Sequence, residues 1–142
     1  MKPSHAYRER IYARYTSEKM PAVLSYSEAD YRRWAKACQA RIKGWLPKDK
    51  DAVCLDLGCG PGNVLYLLRL EGYPNIRGVD ISREQVEVAR QICPNVEQAD
   101  VRDYLRQFQA HFDLITAFDL IEHFHKDELC DLLVHCHDEI FC

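Results

Sequence analysis

The segment Asp-Leu-Gly-Cys-Gly-Pro-Gly at residues 56–62 constrains the fold of this chain more strongly than any other feature of its sequence. An apolar run at residues 52–57 leads into it and predicts a buried strand, whereas Asn63–Leu70 after it predicts a helix. Glycine is required where a chain turns with positive φ or where a ligand touches the backbone. This order is typical of doubly wound α/β sheets, which bind ligands outside the carboxyl ends of their strands.

The spacing of the three glycines, Gly58, Gly60 and Gly62, separates this turn from the dinucleotide-binding fingerprint G-x-G-x-x-G. The third glycine comes one residue early, and Asn63 occupies the later place. Asp56 lies two residues before the first glycine. Its carboxylate would repel a pyrophosphate and would attract a ligand with an ammonium group. The glycine spacing therefore disfavours a nicotinamide or flavin site. Two alternatives remain: such a dinucleotide site, and a tight strand–helix turn that binds no ligand.

Strands alternate with helices along the rest of the chain. Apolar runs predict strands at residues 76–79, 96–99 and 112–118, and periodic apolar residues predict helices at 82–92 and 103–108. This alternation predicts a parallel sheet with helices on both faces. A last helix is predicted to have one apolar face, which consists of Leu129, Leu132, Leu133, Cys136 and Ile140.

Two helices are predicted before the first strand. Aromatic residues at helical spacing indicate one helix within residues 5–18, and a capping box of Ser27 and Asp30 opens the second. We therefore expect a helical cap at residues 1–47 and a ligand-binding domain at residues 48–142.

Acidic residues follow the second and third predicted strands. Asp80 ends the second strand, where a carboxylate can accept hydrogen bonds from both hydroxyls of a ribose. NAD sites share this feature, so Asp80 indicates a nucleoside more than any one cofactor, and its alternative role is to start a helix beside Ser82. Asp100 and Val101 follow the third strand. Their place at a strand end matches that of the glycine-rich turn after the first strand and of Asp80 at the end of the second.

The fourth predicted strand is followed by Asp-Leu-Ile-Glu-His at residues 119–123. With this segment, the region from Val53 to about His123 resembles the class I S-adenosylmethionine-dependent methyltransferases. The resemblance implies an α/β, Rossmann-like, doubly wound and mostly parallel sheet in strand order 3-2-1-4, with N-terminal helices. It also implies an S-adenosyl-L-methionine site that consists of Asp56, Gly58, Cys59, Gly60, Gly62, Asp80, Ile81, Asp100, Val101, Phe118 and, on the N-terminal helices, Tyr15.

The resemblance further implies roles for particular residues. In that family an acidic residue at the position of Asp100 meets the adenine amino group, and its apolar neighbour packs on the ring. The implied reaction transfers a methyl group to a small-molecule or saccharide-type acceptor, chiefly by aligning nucleophile, methyl and sulfur. His123 follows the fourth strand near the implied acceptor, so it is a candidate general base, with packing as the alternative. Trp34 and Trp45 are expected to pack in the interior.

Composition and charge argue against several other classes of protein. A formal net charge of −3 does not supply the positive field of a nucleic-acid binder, and no window approaches the roughly 20 apolar residues of a membrane span. Histidines and cysteines near the end of the chain lack the common zinc spacings, so no metal site is predicted. Seven cysteines without a Cys-x-x-Cys pair, and no recognisable signal peptide, favour a cytoplasmic location.

The end of the chain departs from the family pattern. The family's domain continues with a fifth strand and an antiparallel hairpin, whereas this sequence stops at Cys142. The fourth strand is therefore expected to be an edge without the charge, proline or bulge that blunts natural edges, and self-association through this edge or the final helix is expected. A non-catalytic cofactor-binding or regulatory module and a nicotinamide-dependent oxidoreductase remain alternatives.

Overall fold

Four parallel strands form one sheet at the centre of the protein, in a computed structural model that describes residues 3–107 and 111–141. The order of the strands across the sheet is β3-β2-β1-β4, and all three pairings are parallel. The predicted α/β fold and strand order are therefore confirmed. The strands are β1 (Cys54–Leu57), β2 (Ile76–Asp80), β3 (Val96–Gln98) and β4 (Leu114–Thr116).

Seven α-helices accompany the sheet in the described residues. They are α1 (Pro3–Tyr12), α2 (Tyr15–Lys19), α3 (Glu28–Ile42), α4 (Asn63–Leu70), α5 (Arg83–Ala89), α6 (Val101–Gln107) and α7 (Lys126–Phe141). Short 3₁₀ turns lie at Pro21–Ser25, Lys43–Trp45 and Ile121–His123. Over the described ranges, no helix is long and apolar enough to cross a membrane.

Side-chain caps determine where α3 and α5 begin. The backbone N–H of Asp30 donates to Ser27 Oγ at 3.3 Å, and the Asp30 carboxylate accepts the backbone N–H of Ser27 at 2.8 Å. Ser82 Oγ accepts the backbone N–H of Gln85 at 3.5 Å. Each cap satisfies a donor that the first turn of a helix leaves unpaired, so both helix starts are as the sequence predicts.

The sheet separates two apolar cores. Cys54 and Leu55 point to opposite faces of β1, as successive side chains of a strand do, and both are fully buried. The core on the first face includes Leu65 of α4. The core on the second face includes Leu105 of α6 and Leu132 of α7. Helices thus cover both faces, which leaves the carboxyl ends of the strands as the open side of the sheet.

Helix α3 packs on α4 and supports the glycine-rich turn. Tyr31 of α3 is buried against Tyr66 and Leu67 of α4, and the rings of Tyr31 and Tyr66 stack with centroids 5.2 Å apart. The Tyr31 hydroxyl donates to the carbonyl oxygen of Pro61 at 2.8 Å. Because Pro61 lies within the turn after β1, this hydrogen bond ties α3 directly to the glycine-rich turn.

Two expectations about packing are wrong. Trp45 is 81% exposed, because it lies in the 3₁₀ turn that follows α3 rather than on the buried face of that helix. Leu133 is 54% exposed, because α7 buries only a narrow stripe around Leu132 against the sheet. The expected apolar position Ile140 lies outside the described side chains.

The fourth strand is shorter than the predicted range of 112–118. The ladder with β1 covers only Leu114–Thr116. Phe112 is fully buried before the ladder begins, so its apolar character reflects the core rather than strand pairing. Among the described residues, β4 pairs with β1 alone.

Candidate functional site

A cavity of about 400 Å³ opens at the carboxyl ends of β1, β2 and β3. Its floor is the turn between β1 and α4, and the N-terminal helices form part of its wall. Ligand sites of this size are ordinary in proteins, and this end of the sheet is where doubly wound folds bind them. Most of the sequence-predicted site residues line it: Tyr15, Asp56, Gly58, Cys59, Gly60, Asp80, Ile81, Asp100, Val101, Phe118 and His123.

The floor of the cavity requires glycine at two positions. Gly58 and Gly60 have φ values of +64° and +54°, in the left-handed region. A Cβ atom on Gly58 would lie 2.8 Å from Leu120 Cδ1, and one on Gly60 would lie 2.7 Å from Gln85 Oε1. The turn therefore presents bare backbone to the cavity, which lets a ligand approach it closely.

Cys59 and Gly62 are packed against the protein interior within the same turn. Cys59 is 5% exposed, and burial is the main cause that raises the pKa of its thiol. Gly62 precedes α4 with a φ of +98°, and a Cβ there would lie 3.4 Å from Ala89 Cα of α5. It is absent from the described cavity lining, so the structure places it at the contact between α4 and α5.

Asp80 ties the ends of β1 and β2 together. Its Oδ2 accepts the backbone N–H of Gly60 at 2.9 Å, and its Oδ1 accepts the backbone N–H of Ser82 at 2.8 Å. The side chain is 9% exposed, and burial raises its pKa, although the bonds from Ser82 and Gly60 act in the opposite direction. Asp80 thus holds the glycine-rich turn and also lines the cavity.

Asp56 is the second buried carboxyl group at this end of the sheet. It is 2% exposed, and its Oδ1 accepts the hydroxyl of Thr116 at 2.7 Å. Burial raises the pKa of Asp56 to about 7; the Thr116 hydrogen bond lowers it and the nearby Asp80 raises it. A cationic group that enters the cavity would favour the ionised form of this carboxyl group.

At the end of β3, Asp100 is held by Arg102. Asp100 Oδ1 accepts from the backbone N–H and from Nε of Arg102, at 2.9 and 3.0 Å, and Oδ2 accepts from a terminal guanidinium nitrogen at 2.8 Å. This bidentate pair fixes the plane of the carboxylate. Val101 is 5% exposed and packs in the second core at the start of α6.

Aromatic rings line part of the cavity, and one of them packs on His123. The His123 and Tyr12 rings meet edge to face with centroids 6.2 Å apart, and Tyr12 contacts Tyr15 in the same manner at 5.5 Å. Trp34 and Phe118 form another edge-to-face pair at 6.1 Å. Trp34 therefore packs as expected but also lines the cavity, and burial raises the pKa of the Tyr12 phenol.

Arg8 and Asn63 are among the cavity residues that the sequence did not identify. Arg8 lines the cavity, and its position four residues before Tyr12 on α1 was the signal that could have identified it. Asn63 also lines the cavity, and its buried Oδ1 has no hydrogen-bond partner within the described part of the chain. A buried acceptor of this kind requires a donor, which a ligand can supply.

The described residues contain no group of three or more His, Cys, Asp or Glu side chains arranged to hold a metal ion. The cavity instead offers backbone at the glycine turn, carboxyl groups at three strand ends and aromatic rings near its opening. This arrangement suits a cationic, hydroxyl-bearing organic ligand.

Comparisons with known proteins agree with this geometry. A family model described as "Methyltransferase domain" matches residues 26–138. The chain is 42% identical over 114 residues to trans-aconitate 2-methyltransferase of Azoarcus sp. (strain BH72), covering 75% of this chain and 42% of that protein. It is 30% identical over 104 residues to the mitochondrial ubiquinone biosynthesis O-methyltransferase of Saccharomyces cerevisiae, covering 69% and 33% of the two chains.

Solved structures share the fold. A SAM-dependent methyltransferase from Archaeoglobus fulgidus superposes with a TM-score of 0.64 at 28% identity, covering 75% of this chain and 48% of that one. The chain therefore spans less than half the length of these relatives.

Proposed function

Because the chain belongs to the class I S-adenosylmethionine-dependent methyltransferases, we propose that its cavity binds S-adenosyl-L-methionine for methyl transfer to a small-molecule or saccharide-type acceptor. One observation carries the proposal: a glycine cradle at Gly58 and Gly60 shares a single cavity with carboxyl groups at the ends of three strands. These groups are Asp56, Asp80 and Asp100.

The residues of the cavity fit this cofactor. Backbone at Gly58 and Gly60 allows close approach, and Asp80 accepts from the ribose hydroxyls. Asp56 and the unpartnered Asn63 Oδ1 match the ammonium group, which has donors and a positive charge. A pyrophosphate would face the same buried carboxyl groups and be repelled, which argues against a nicotinamide cofactor.

The adenine end is assigned to the start of α6. Asp100 accepts from the adenine amino group, Val101 packs on the ring, and Ile81 follows the ribose acceptor Asp80 along the cavity wall. Phe118 and Tyr15 also line the cavity, and the proposal assigns them to the reacting end of the cofactor. Gly62 supports the site only through the shape of the turn.

The bound cofactor supplies an electrophilic methyl group on a sulfonium centre. The chain's own residues then have to orient the acceptor and exclude water, because much of the rate enhancement comes from alignment. The Tyr12 ring, which packs on His123, and the pair of Trp34 and Phe118 provide apolar parts of the cavity wall for this purpose. The proposal gives His123, which lines the cavity, the role of taking a proton from an acceptor hydroxyl or amine.

A methyl-transfer assay tests the proposal. The chain is incubated with methyl-labelled S-adenosylmethionine and a panel of small carboxylic acids, phenols and sugars, with trans-aconitate as the first member because a relative carries that name. We expect label in an acceptor, and less of it at subsaturating cofactor when Asp80 is replaced by Ala. Cofactor binding without any labelled product would favour the second candidate, a non-catalytic cofactor-binding or regulatory module.

A further part of the proposal concerns partners. The outer edge of β4 has no strand partner in the described residues, and Phe118 and Ile121 nearby are 37% and 44% exposed. We therefore propose self-association through this edge or α7, which light scattering at micromolar concentration would detect as a dimer; a stable monomer would contradict it. The cytoplasmic location and the lack of nucleic-acid or membrane partners stay predictions.

A further inference from the structure

Glu128, on the first turn of α7, receives four hydrogen bonds. Its Oε1 accepts from Arg8 at 3.1 Å and from Arg102 at 2.7 Å, and its Oε2 accepts from Arg8 at 2.5 Å and from the backbone N–H of His125 at 3.1 Å. The hydrogen bonds from Arg8 are the main cause that lowers the pKa of Glu128 to about 2. The carboxylate is therefore ionised at neutral pH.

The pairs continue from Glu128 into the cavity. Arg102 binds Glu128 with one terminal nitrogen and holds Asp100 with its other nitrogens, so that charges alternate along Asp100, Arg102, Glu128 and Arg8. The four side chains are between 7% and 17% exposed. Buried charges need partners, and this network supplies each charge with an opposite neighbour.

The network joins three segments that are distant in the sequence. Arg8 belongs to α1, Asp100 and Arg102 to the start of α6, and Glu128 to α7. The Phe124 ring lies beneath both guanidinium groups, 5.0 Å from that of Arg8 and 5.7 Å from that of Arg102. Since Arg8, Asp100 and Phe124 all line the cavity, the network spans the cavity wall from its adenine end to α1.

We propose that Glu128 is a positioning residue that orients Asp100 through Arg102 and holds α1 over the cavity through Arg8. Cofactor affinity and the order of α1 then depend on the same carboxylate. The inference rests on the proposed function for its cofactor half, while its α1 half concerns the chain without any ligand. Glu128 itself is absent from the cavity lining, so its effect on the ligand is indirect.

Replacing Glu128 by Gln tests both halves with nearly unchanged volume. The amide has no negative charge and places an NH₂ donor against guanidinium donors, so the contacts with Arg8 and with Arg102 are both weakened. Hydrogen bonds to charged groups are strong enough for an effect of about tenfold on an equilibrium. Arg8→Met is the second variant, because it releases α1 and leaves the pair of Arg102 with Asp100 intact.

The measurements are hydrogen exchange of the α1 amides without ligand and calorimetric affinity for two nucleosides. The nucleosides are S-adenosylhomocysteine and S-inosylhomocysteine, whose 6-oxo group accepts a hydrogen bond where adenine donates one. In Glu128→Gln we expect about tenfold faster exchange in α1, about tenfold weaker binding of S-adenosylhomocysteine and a smaller preference for adenine over inosine. Arg8→Met should speed exchange but keep the preference. Glu87→Gln, which alters the exposed pair with Arg83, should change neither readout.

Each readout can overturn its half of the proposal. Unchanged α1 exchange in folded Glu128→Gln and in Arg8→Met would show that the ion pair does not hold α1. An unchanged adenine preference in Glu128→Gln would show that Glu128 does not position Asp100. If Glu128→Gln did not fold, Glu128→Asp, which keeps the charge but shortens the side chain by one methylene, would decide both halves by the same two readouts. A wild-type chain that bound neither nucleoside would contradict the proposed function, while α1 exchange would still decide whether Glu128 acts on α1.

Discussion

Asp80 Oδ2 accepts a hydrogen bond from the backbone amide of Gly60, with 2.9 Å between oxygen and nitrogen. The carboxylate at the end of β2 therefore fixes the turn that follows β1. Its other oxygen accepts the N–H of Ser82 and so helps to start α5. One side chain thereby shapes the floor of the cavity and contributes an acceptor to its wall.

The replacement Asp80→Ala should weaken binding of S-adenosylhomocysteine and also destabilise the chain. The ribose would lose a charged acceptor, worth roughly 1.5–3 kcal/mol for each hydrogen bond, and the amides of Gly60 and Ser82 would lose theirs. Calorimetric titration gives the first effect and thermal unfolding the second. The exposed Asp127→Asn is a control that should leave both unchanged. Unaltered affinity in Asp80→Ala would show that the ribose assignment is wrong.

Alanine at Gly58 or Gly60 should weaken cofactor binding and destabilise the chain. Each position combines a left-handed backbone, which costs roughly 1–2 kcal/mol for a residue with a Cβ, with a side-chain contact below 3 Å. Because Leu120 or Gln85 would have to move, the shape of the cavity floor would change as well. Affinity for S-adenosylhomocysteine and chemical denaturation are the measurements.

Two other glycines serve as matched controls for this prediction. Gly72 has a φ of +89° with open space around it, so Gly72→Ala should cost stability without affecting affinity. Gly44 has no neighbour within 4 Å of an added Cβ, so Gly44→Ala should affect neither. If Gly60→Ala bound the cofactor as tightly as Gly44→Ala does, the close approach of a ligand to this turn would be disproved.

The raised pKa of Asp56 predicts that stability depends on pH. Since burial raises the pKa of this carboxyl group to about 7 in the folded chain, the folded state keeps a proton that the unfolded state releases. The free energy of unfolding should therefore fall as the pH rises from about 4 to about 7, by at most about 4 kcal/mol from this group. Denaturation of wild type and Asp56→Asn across this range measures the difference, and parallel curves would contradict it.

The same group predicts that ligand binding releases a proton. An ammonium group beside Asp56 favours its ionised form, so at about pH 6 the binding of S-adenosylhomocysteine should release up to about one proton from this site. Calorimetry in buffers with different ionisation enthalpies measures that number. Asp56→Asn should remove the release, and an equal release in this variant would assign the proton to another group.

His123 is expected to act on the acceptor and not on the cofactor. Replacement by Ala should lower turnover and leave the affinity for S-adenosylhomocysteine nearly unchanged, because general-base catalysis typically contributes about 10²–10⁴-fold. His125→Gln, at an exposed position two residues later, is the matched control. A pH–rate profile in His123→Gln that equals the wild-type profile would remove the general-base role and leave packing against Tyr12.

Local sequence patterns predicted the features of the fold that depend on local chemistry. The glycine turn, the cap at Ser27 and the acidic residue at the end of β2 each follow from neighbouring residues, and the structure has all three. Trp45 was placed wrongly, because helical periodicity does not register the change of direction in the 3₁₀ turn after α3. The division of the chain at residue 47 stays a prediction.

Contacts between distant segments lay beyond the reach of such patterns. Arg8 and Glu128 are 120 positions apart, and no local feature of either residue indicates the pair. Asp100 was interpreted as an adenine contact without its partner Arg102, whose role depends on how α6 and α7 pack together. The chemistry of the strand ends could be read from the sequence, but the side chains that orient it could not.

Calorimetric titration of the chain with S-adenosylhomocysteine and, separately, with NAD tests the central claim most directly. The account predicts saturable binding of S-adenosylhomocysteine at one site, weakened in Asp80→Ala, and no binding of NAD, since buried carboxyl groups line the cavity where a pyrophosphate would lie. Saturable binding of NAD, or no heat with S-adenosylhomocysteine from a folded chain, would contradict the proposal that this cavity binds the methyl donor.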